Sequence, residues 1–139
     1  MAPDFLPHSF LQAVQRGGLG RCPRCGEAKL FRKWLKSVDR CPECGQDWTP
    51  HCADDFPAYI SIFVTGHVLA PLIIMLALDY ALSPLAMFAT IVPLALAIML
   101  GLLQPAKGVV IAAQWWHGLH GFTPERPPEL ADPEGSGKT

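Results

Sequence analysis

No lysine or arginine occurs between residues 55 and 106. Eight of the eleven basic residues precede that gap and three follow it. Only 17% of the chain is charged, against about 25% in an ordinary soluble domain. The length of 139 residues allows one soluble domain or a small domain with a few membrane spans. Net charge is −1, so total charge gives no hint of a polyanionic partner. The stretch MAPDFLPHSF has no basic region and no long apolar core, so it does not read as a secretory signal. The cysteine-rich front is therefore expected to stay in a reducing cytosol, where paired cysteines more often bind metal than form disulfides. Neither a phosphate-binding glycine loop nor a nucleophile–base constellation is evident, which favours a non-enzymatic protein. No long internal repeat is present.

Half of the residues are hydrophobic, and mean hydropathy is +0.25. The apolar residues concentrate after residue 56. Residues 59–78 and 84–103 are two runs of 20 without a formal charge. As helices each would extend roughly 30 Å, the thickness of a hydrocarbon core. The link DYALS permits only a tight helical hairpin, with Asp79 and Tyr80 at headgroup level. The link carries no basic residue while the flanks hold all eleven, so both termini are expected on the cytoplasmic side.

What the front of the chain does have is one knuckle written twice: RCPRCG at 21–26 and RCPECG at 40–45. Cys22 and Cys25 form one pair, Cys41 and Cys44 the other, with fifteen residues between the pairs. This is the spacing of a four-thiolate zinc site. Zn²⁺ takes four ligands at tetrahedral corners, and each knuckle supplies two. Pro23 and Pro42 pre-set a backbone angle in each turn, and Gly26 and Gly45 let the chain double back. N–H groups freed in the turns can then steady the sulfurs. With four protein ligands no coordination position stays open, so the metal is expected to be structural. The rival, thiol–disulfide exchange, ordinarily uses one such pair on a βαβ framework.

Around these two blocks the chain divides further. Residues 1–20 are expected to hold a short amphipathic helix, HSFLQAVQRGG. Ser9 reads as its N-cap, Gln12 completes a capping box, and Gly17 and Gly18 read as its end. The zinc ribbon spans 21–55 and the hairpin 56–104. Within the ribbon, KLFRKWLKSVDR fits both a helical stripe and a β-hairpin. Its cations, interleaved with Phe31 and Trp34, suit an anionic membrane surface. After Pro105, AKGVVIAAQWWHGLHGF is too polar to span again. Residues 105–122 are expected to form a helix along the interface, with Trp115 and Trp116 at that depth. Residues 123–139, rich in proline, glycine and acid, read as a disordered tail.

Three residues stand apart. His67 falls about 12 Å into the first span by helix rise, where an ionisable side chain is a functional suspect. It is expected to hydrogen-bond to the second span or to a partner helix, beside the carbonyl that Pro71 leaves unpaired. A haem, copper or proton-transfer role is the alternative. Pro93 similarly frees the carbonyl of Ala89, which Thr90 could back-fill. Cys52, beside His51, reads as a free thiol near the membrane, with a spare metal ligand as the alternative.

The order CPRCGEAKLF, DRCPECG, ADDFPAY, two spans, LLQPAKG and QWWHGLHGF resembles the bacterial family called domain of unknown function 983. The resemblance runs over roughly residues 15–122. It implies a small inner-membrane protein, with Cys22, Cys25, Cys41 and Cys44 in the zinc positions. It also implies a link to cytochrome c oxidase biogenesis, whose genes often neighbour those of the family. Asp54, Asp55, Pro57 and the Gln104–Pro105–Lys107–Gly108 turn match motifs without an assigned role. Asp54 and Asp55 also suit the start of a helix, whose dipole favours acids there. The expectation is an α-helical membrane protein: a zinc ribbon, a two-helix hairpin and an interfacial helix. Its expected role is that of an accessory protein whose partners are the bilayer and a membrane protein, with neither nucleic acid nor a small-molecule substrate. Metal or redox handling through His67 or Cys52 is the first alternative, and a membrane-tethered nucleic-acid binder the second.

Overall fold

The computed structural model describes residues 5–51 and 55–123. Cys52, Asp54 and the tail beyond 123 lie outside the described residues. Helix α1 covers Phe10–Gly18, strands β1 and β2 cover Phe31–Lys33 and Lys36–Ser37, helix α2 covers Phe56–Leu78 and helix α3 covers Pro84–Trp116. A single 3-10 turn, Leu119–Gly121, follows.

Helix α1 begins as its sequence requires. The Ser9 hydroxyl accepts from the N–H of Gln12. The Gln12 side chain reaches back, not to Ser9 but one residue earlier, and accepts from the N–H of His8 at 2.7 Å. The far end differs from expectation. Gly17 and Gly18 are helical, and Gly20, at φ +76°, makes the left-handed turn. Gly20 N–H donates to Gly17 C=O and Arg21 N–H to Arg16 C=O, the paired bonds of a Schellman cap.

Gly17 has another use. It meets Gly108 of α3 backbone to backbone, and a Cβ on either glycine would overlap the carbonyl oxygen of the other. Two helices approach this closely only where neither carries a side chain.

The segment between the knuckles is a β-hairpin. Strands β1 and β2 pair antiparallel, Phe31 opposite Ser37 and Lys33 opposite Lys36. Leu35 turns the tip at φ +61°, a conformation costly for a residue with a Cβ. Lys107 of α3 donates from Nζ to the Leu35 carbonyl at 2.6 Å and so fixes the tip.

Helices α2 and α3 form an antiparallel pair. The buried face of α2 is Pro57, Ser61, Thr65 and Leu69, one residue per turn. Ser61 Oγ donates to the carbonyl of Met99 at 2.6 Å, a polar tie in an apolar interface. Both helices are long and apolar enough to cross a membrane. Their remaining faces expose large apolar side chains, among them Ile62, Phe63, Ile74, Leu85, Phe88 and Leu96. Thr90 bonds to the carbonyl of Ala86, four residues back, and not to the Ala89 carbonyl freed by Pro93.

The interfacial helix expected over 105–122 is not a separate element. Helix α3 runs through Pro105 to Trp116 as one rod of 33 residues, about 50 Å long. Proline removes one hydrogen bond, and flanking packing holds the helix through it. Trp115 and Trp116 are buried, not spread on a surface. Their partners are Trp48 of the ribbon, 6.0 Å from Trp115 between ring centroids, and Phe10 of α1, 6.3 Å from Trp116. Phe122 closes over Trp48 at 5.8 Å. Ala13, Leu30, Trp48, Ile111 and Trp115 are solvent-inaccessible, and they make one core from α1, the ribbon and the end of α3. Full burial of each large side chain there contributes about 1.5–3 kcal/mol. Sequence pattern could not separate this from an interfacial helix, because both need an apolar face with tryptophan.

Gly108→Ala tests the joint. It is expected to destabilise the α1–ribbon–α3 core by about 1–3 kcal/mol, as overpacking does. Gly101→Ala, on the same helix with open space around the added Cβ, is expected to be neutral or slightly stabilising. Thermal unfolding followed by tryptophan fluorescence reads both.

Candidate metal centre

The two knuckles fold alike. In the first, Cys22 N–H donates to Ala28 C=O and Gly26 N–H to Cys22 C=O. In the second, Cys41 N–H donates to Gln46 C=O and Gly45 N–H to Cys41 C=O. Gly26 and Gly45 sit at φ +72° and +73°, where residues with a Cβ are strained. An isolated bridge closes each loop, Arg21 with Lys29 and Arg40 with Asp47. Asp47 then turns the chain by accepting from both the N–H and the hydroxyl of Thr49. Those two bonds hold its carboxyl below the usual carboxylate range.

The duplicated turns face each other and bring four sulfurs together. The ligand atoms of Cys22, Cys25, Cys41 and Cys44 all lie within 4.8 Å of one another. Cys22 Sγ is 3.8 Å from Cys44 Sγ, and Cys25 Sγ is 3.7 Å from Cys41 Sγ. These separations exclude disulfides, which need about 2.05 Å. A tetrahedron with metal–sulfur bonds of about 2.3 Å has edges of about 3.8 Å. The cluster therefore fits one ion of that kind. Cys22, Cys25 and Cys41 are buried and Cys44 is partly so, which keeps water from competing.

Backbone N–H groups surround the sulfurs. Cys22 accepts from Cys25, Cys25 from Ala28 and Glu27, and Cys41 from Cys44 and Glu43. In the metal-free thiol state burial pushes Cys22 far up, and it raises Cys41 as well. Burial works upward at Cys25 too, but there the N–H bonds from Ala28 and Glu27, together with hydrogen bonds from Cys22 and Cys41, outweigh it and hold the thiol below its usual range. Metal binding must displace the protons, so affinity falls on acidification.

The ribbon is braced from three sides. Arg24 Nη1 donates to Cys44 C=O at 3.1 Å and ties one knuckle to the other. Arg16 of α1 donates to the carbonyls of Phe5 and Arg24. His51 bonds Ser37 through Nε2 and the Trp48 carbonyl through Nδ1, so its ring is engaged inside the ribbon.

His67 is not part of this centre and does not face α3. It is exposed, its Nδ1 lies 2.9 Å from the carbonyl of Phe63, and its ring packs against that of Phe63, tilted by 39° with centroids 4.1 Å apart. Of the two expected arrangements, the bond across to the second span is replaced by one to the preceding helical turn, and the ring stays on the side open to a partner helix. Asp55 stands just before α2 with no side-chain capping bond. Sequence reasoning did not find Lys107 and Gly108 as the residues that hold the ribbon. The signals available were the match of Lys107 and Gly108 to a family motif without an assigned role and their place just after an apolar run.

The arrangement defines a class: a mostly helical protein with a four-cysteine cluster and two helices apolar enough to cross a membrane. Within that class the chain belongs to the family described as "Protein of unknown function (DUF983)", whose model matches residues 31–115. The matched segment includes the second knuckle, both long helices and residues 104–108, which are helical within α3 and not the turn expected there, and it begins after the first knuckle. No curated protein and no solved structure matches the chain.

Detergent-purified protein is expected to carry about one metal ion per chain, as a single four-ligand site requires. Cys25→Ser combined with Cys44→Ser, one ligand from each knuckle, should abolish it. Elemental analysis checks both, and full metal retention in the double variant would exclude the assignment.

Proposed function

We propose that this protein is a non-enzymatic membrane accessory protein: a structural zinc ribbon carried at the cytoplasmic end of a two-helix hairpin and presented to a membrane-protein partner. The observation that carries the reading is the continuity of α3. A rod of 33 residues leaves about 20 Å beyond a hydrocarbon core of about 30 Å, and the cysteine module is packed on that excess. Zinc is the ion of choice because four thiolates in a tetrahedron suit it and leave no open position for chemistry. Exposed apolar faces on α2 and α3 favour lipid as their surroundings over water. The family resemblance supports the inner membrane of a bacterium, and the absence of Lys and Arg from the 79–83 link supports cytoplasmic termini. Assembly of a respiratory complex rests on the resemblance alone.

His67 supplies a specific place to look for the partner. Nδ1 is engaged with Phe63 and the ring is exposed on α2. Beside it a Cβ at Gly66 would meet nothing within 4 Å, so another helix can come close.

Two experiments test the reading. A reporter active only outside the cytoplasm, fused after Thr139, should stay silent, whereas one placed in the 79–83 link should be active. Partners recovered from native membranes with the wild type should be lost with His67→Leu, while metal content is unchanged. A haem or copper absorption band in the wild type that His67→Leu removes would replace this reading with a metal-handling one.

A further inference from the structure

A cleft of about 540 Å³ opens where the first knuckle and β1 meet α3. Arg21, Lys29, Arg32 and Lys33 line it against one carboxylate, Glu27. Arg21 and Lys29 are antiparallel bridge partners, so their side chains rise on one face. All four cations are exposed. Gathered around one hollow, they repel one another unless an anion lies between them.

The position of the cleft narrows the choice of anion. Gln104 also lines it, and this is the first residue after the apolar run 84–103. The cations therefore stand at the height where hydrocarbon gives way to headgroups. A second hollow of about 390 Å³ shares Leu19, Gly20 and Gln104 with the first. It extends along α3 between Pro105 and Gly101, with Trp34 as a wall. Trp34 is 58% exposed at the hairpin tip, the setting that suits an indole at a membrane interface. A Cβ at Gly101 would meet nothing within 4 Å, so an acyl chain can lie against the helix there.

We propose that this cleft binds the phosphate headgroup of an anionic phospholipid, with the acyl chain descending past Trp34 and Gly101. The proposal rests on the reading of α2 and α3 as membrane spans. Free phosphate or a nucleic-acid backbone would satisfy the same cations, but neither makes use of the second hollow beside Trp34 and Gly101. The lipid uses both halves.

The test is native mass spectrometry of the full-length, metal-loaded protein in detergent, with phosphatidylglycerol, phosphatidylcholine or inorganic phosphate added in separate arms. Phosphatidylglycerol should bind in preference to phosphatidylcholine. The triple variant K29Q/R32Q/K33Q should weaken phosphatidylglycerol binding at least about fivefold, on the scale of one surface cation near an anionic lipid. It should leave phosphatidylcholine adducts and metal content unchanged. Lys36→Gln, a nearby exposed cation outside the cleft, should cost little. Equal binding of the two lipids, a silent triple variant, or an equal loss with Lys36→Gln would overturn the site. Displacement of phosphatidylglycerol by millimolar phosphate would reassign it to free phosphate. Salt-sensitive binding of single-stranded RNA, lost in the triple variant, would reassign it to nucleic acid. Carbonate extraction of native membranes separates this from the underlying reading. Wild-type protein released by carbonate overturns the membrane reading itself, whereas protein kept in the pellet with no lipid preference overturns only the cleft.

Discussion

The contact between Gly17 and Gly108 joins the two halves of this molecule. Helices with side chains at the crossing stay about 8–10 Å apart. Here two backbones touch, and α1 lies directly on the end of α3. That approach brings Ala13 of α1, Trp48 of the ribbon and Ile111 and Trp115 of α3 into one buried cluster. Without it α3 would leave its apolar run with nothing to cover Val110, Ile111 and Trp115. The helix continues through Pro105 because the far side of the proline is packed.

The four-cysteine cluster lies in the module that is packed on the same joint. The ribbon is a small module with a two-stranded sheet. Modules of this size rarely bury enough apolar surface to fold unaided and are commonly stabilised by a metal. Four cysteine sulfurs close enough to stand at the corners of one tetrahedron could hold such an ion within the ribbon. Trp48, Leu30 and the Lys107–Leu35 bond transmit the ribbon's order to α3. Lys107 has two effects at once: it holds a strained hairpin tip, and it places that tip, with Trp34, beside the last turns of the apolar run.

Much of this could be read from the sequence, and the parts that could not share a cause. The four cysteines were legible because metal ligation demands specific residues at fixed spacing. The two long helices were legible because uncharged runs of that length have few other uses. The N-cap of α1 was legible because Ser9 and Gln12 act locally. The fate of residues 106–116 was not. An apolar face with two tryptophans satisfies a membrane interface as well as a protein core, and only the partner surface decides. Gly17 was read as a helix terminator because glycine usually is one, whereas its role comes from a residue far away in sequence. His67 was expected to face the second span or a partner helix, and on the second-span side the small residues Ser61 and Thr65 won the face, since α2 and α3 pack closely through small side chains. The hairpin between the knuckles was ambiguous because its stripe of apolar residues fits either period over so few positions.

The central claim is that the metal-bound ribbon and the end of α3 are one cooperative unit fixed to a separately stable apolar hairpin. Amide hydrogen exchange of the full chain in micelles, metal-loaded and after chelation, tests it most directly. With metal bound, residues 106–116 should be as well protected as 84–103. After chelation, 106–116 should lose protection together with the ribbon while 84–103 keeps it. Rapid exchange over 106–116 in the metal-loaded protein, or protection there that is indifferent to metal removal, would contradict the account.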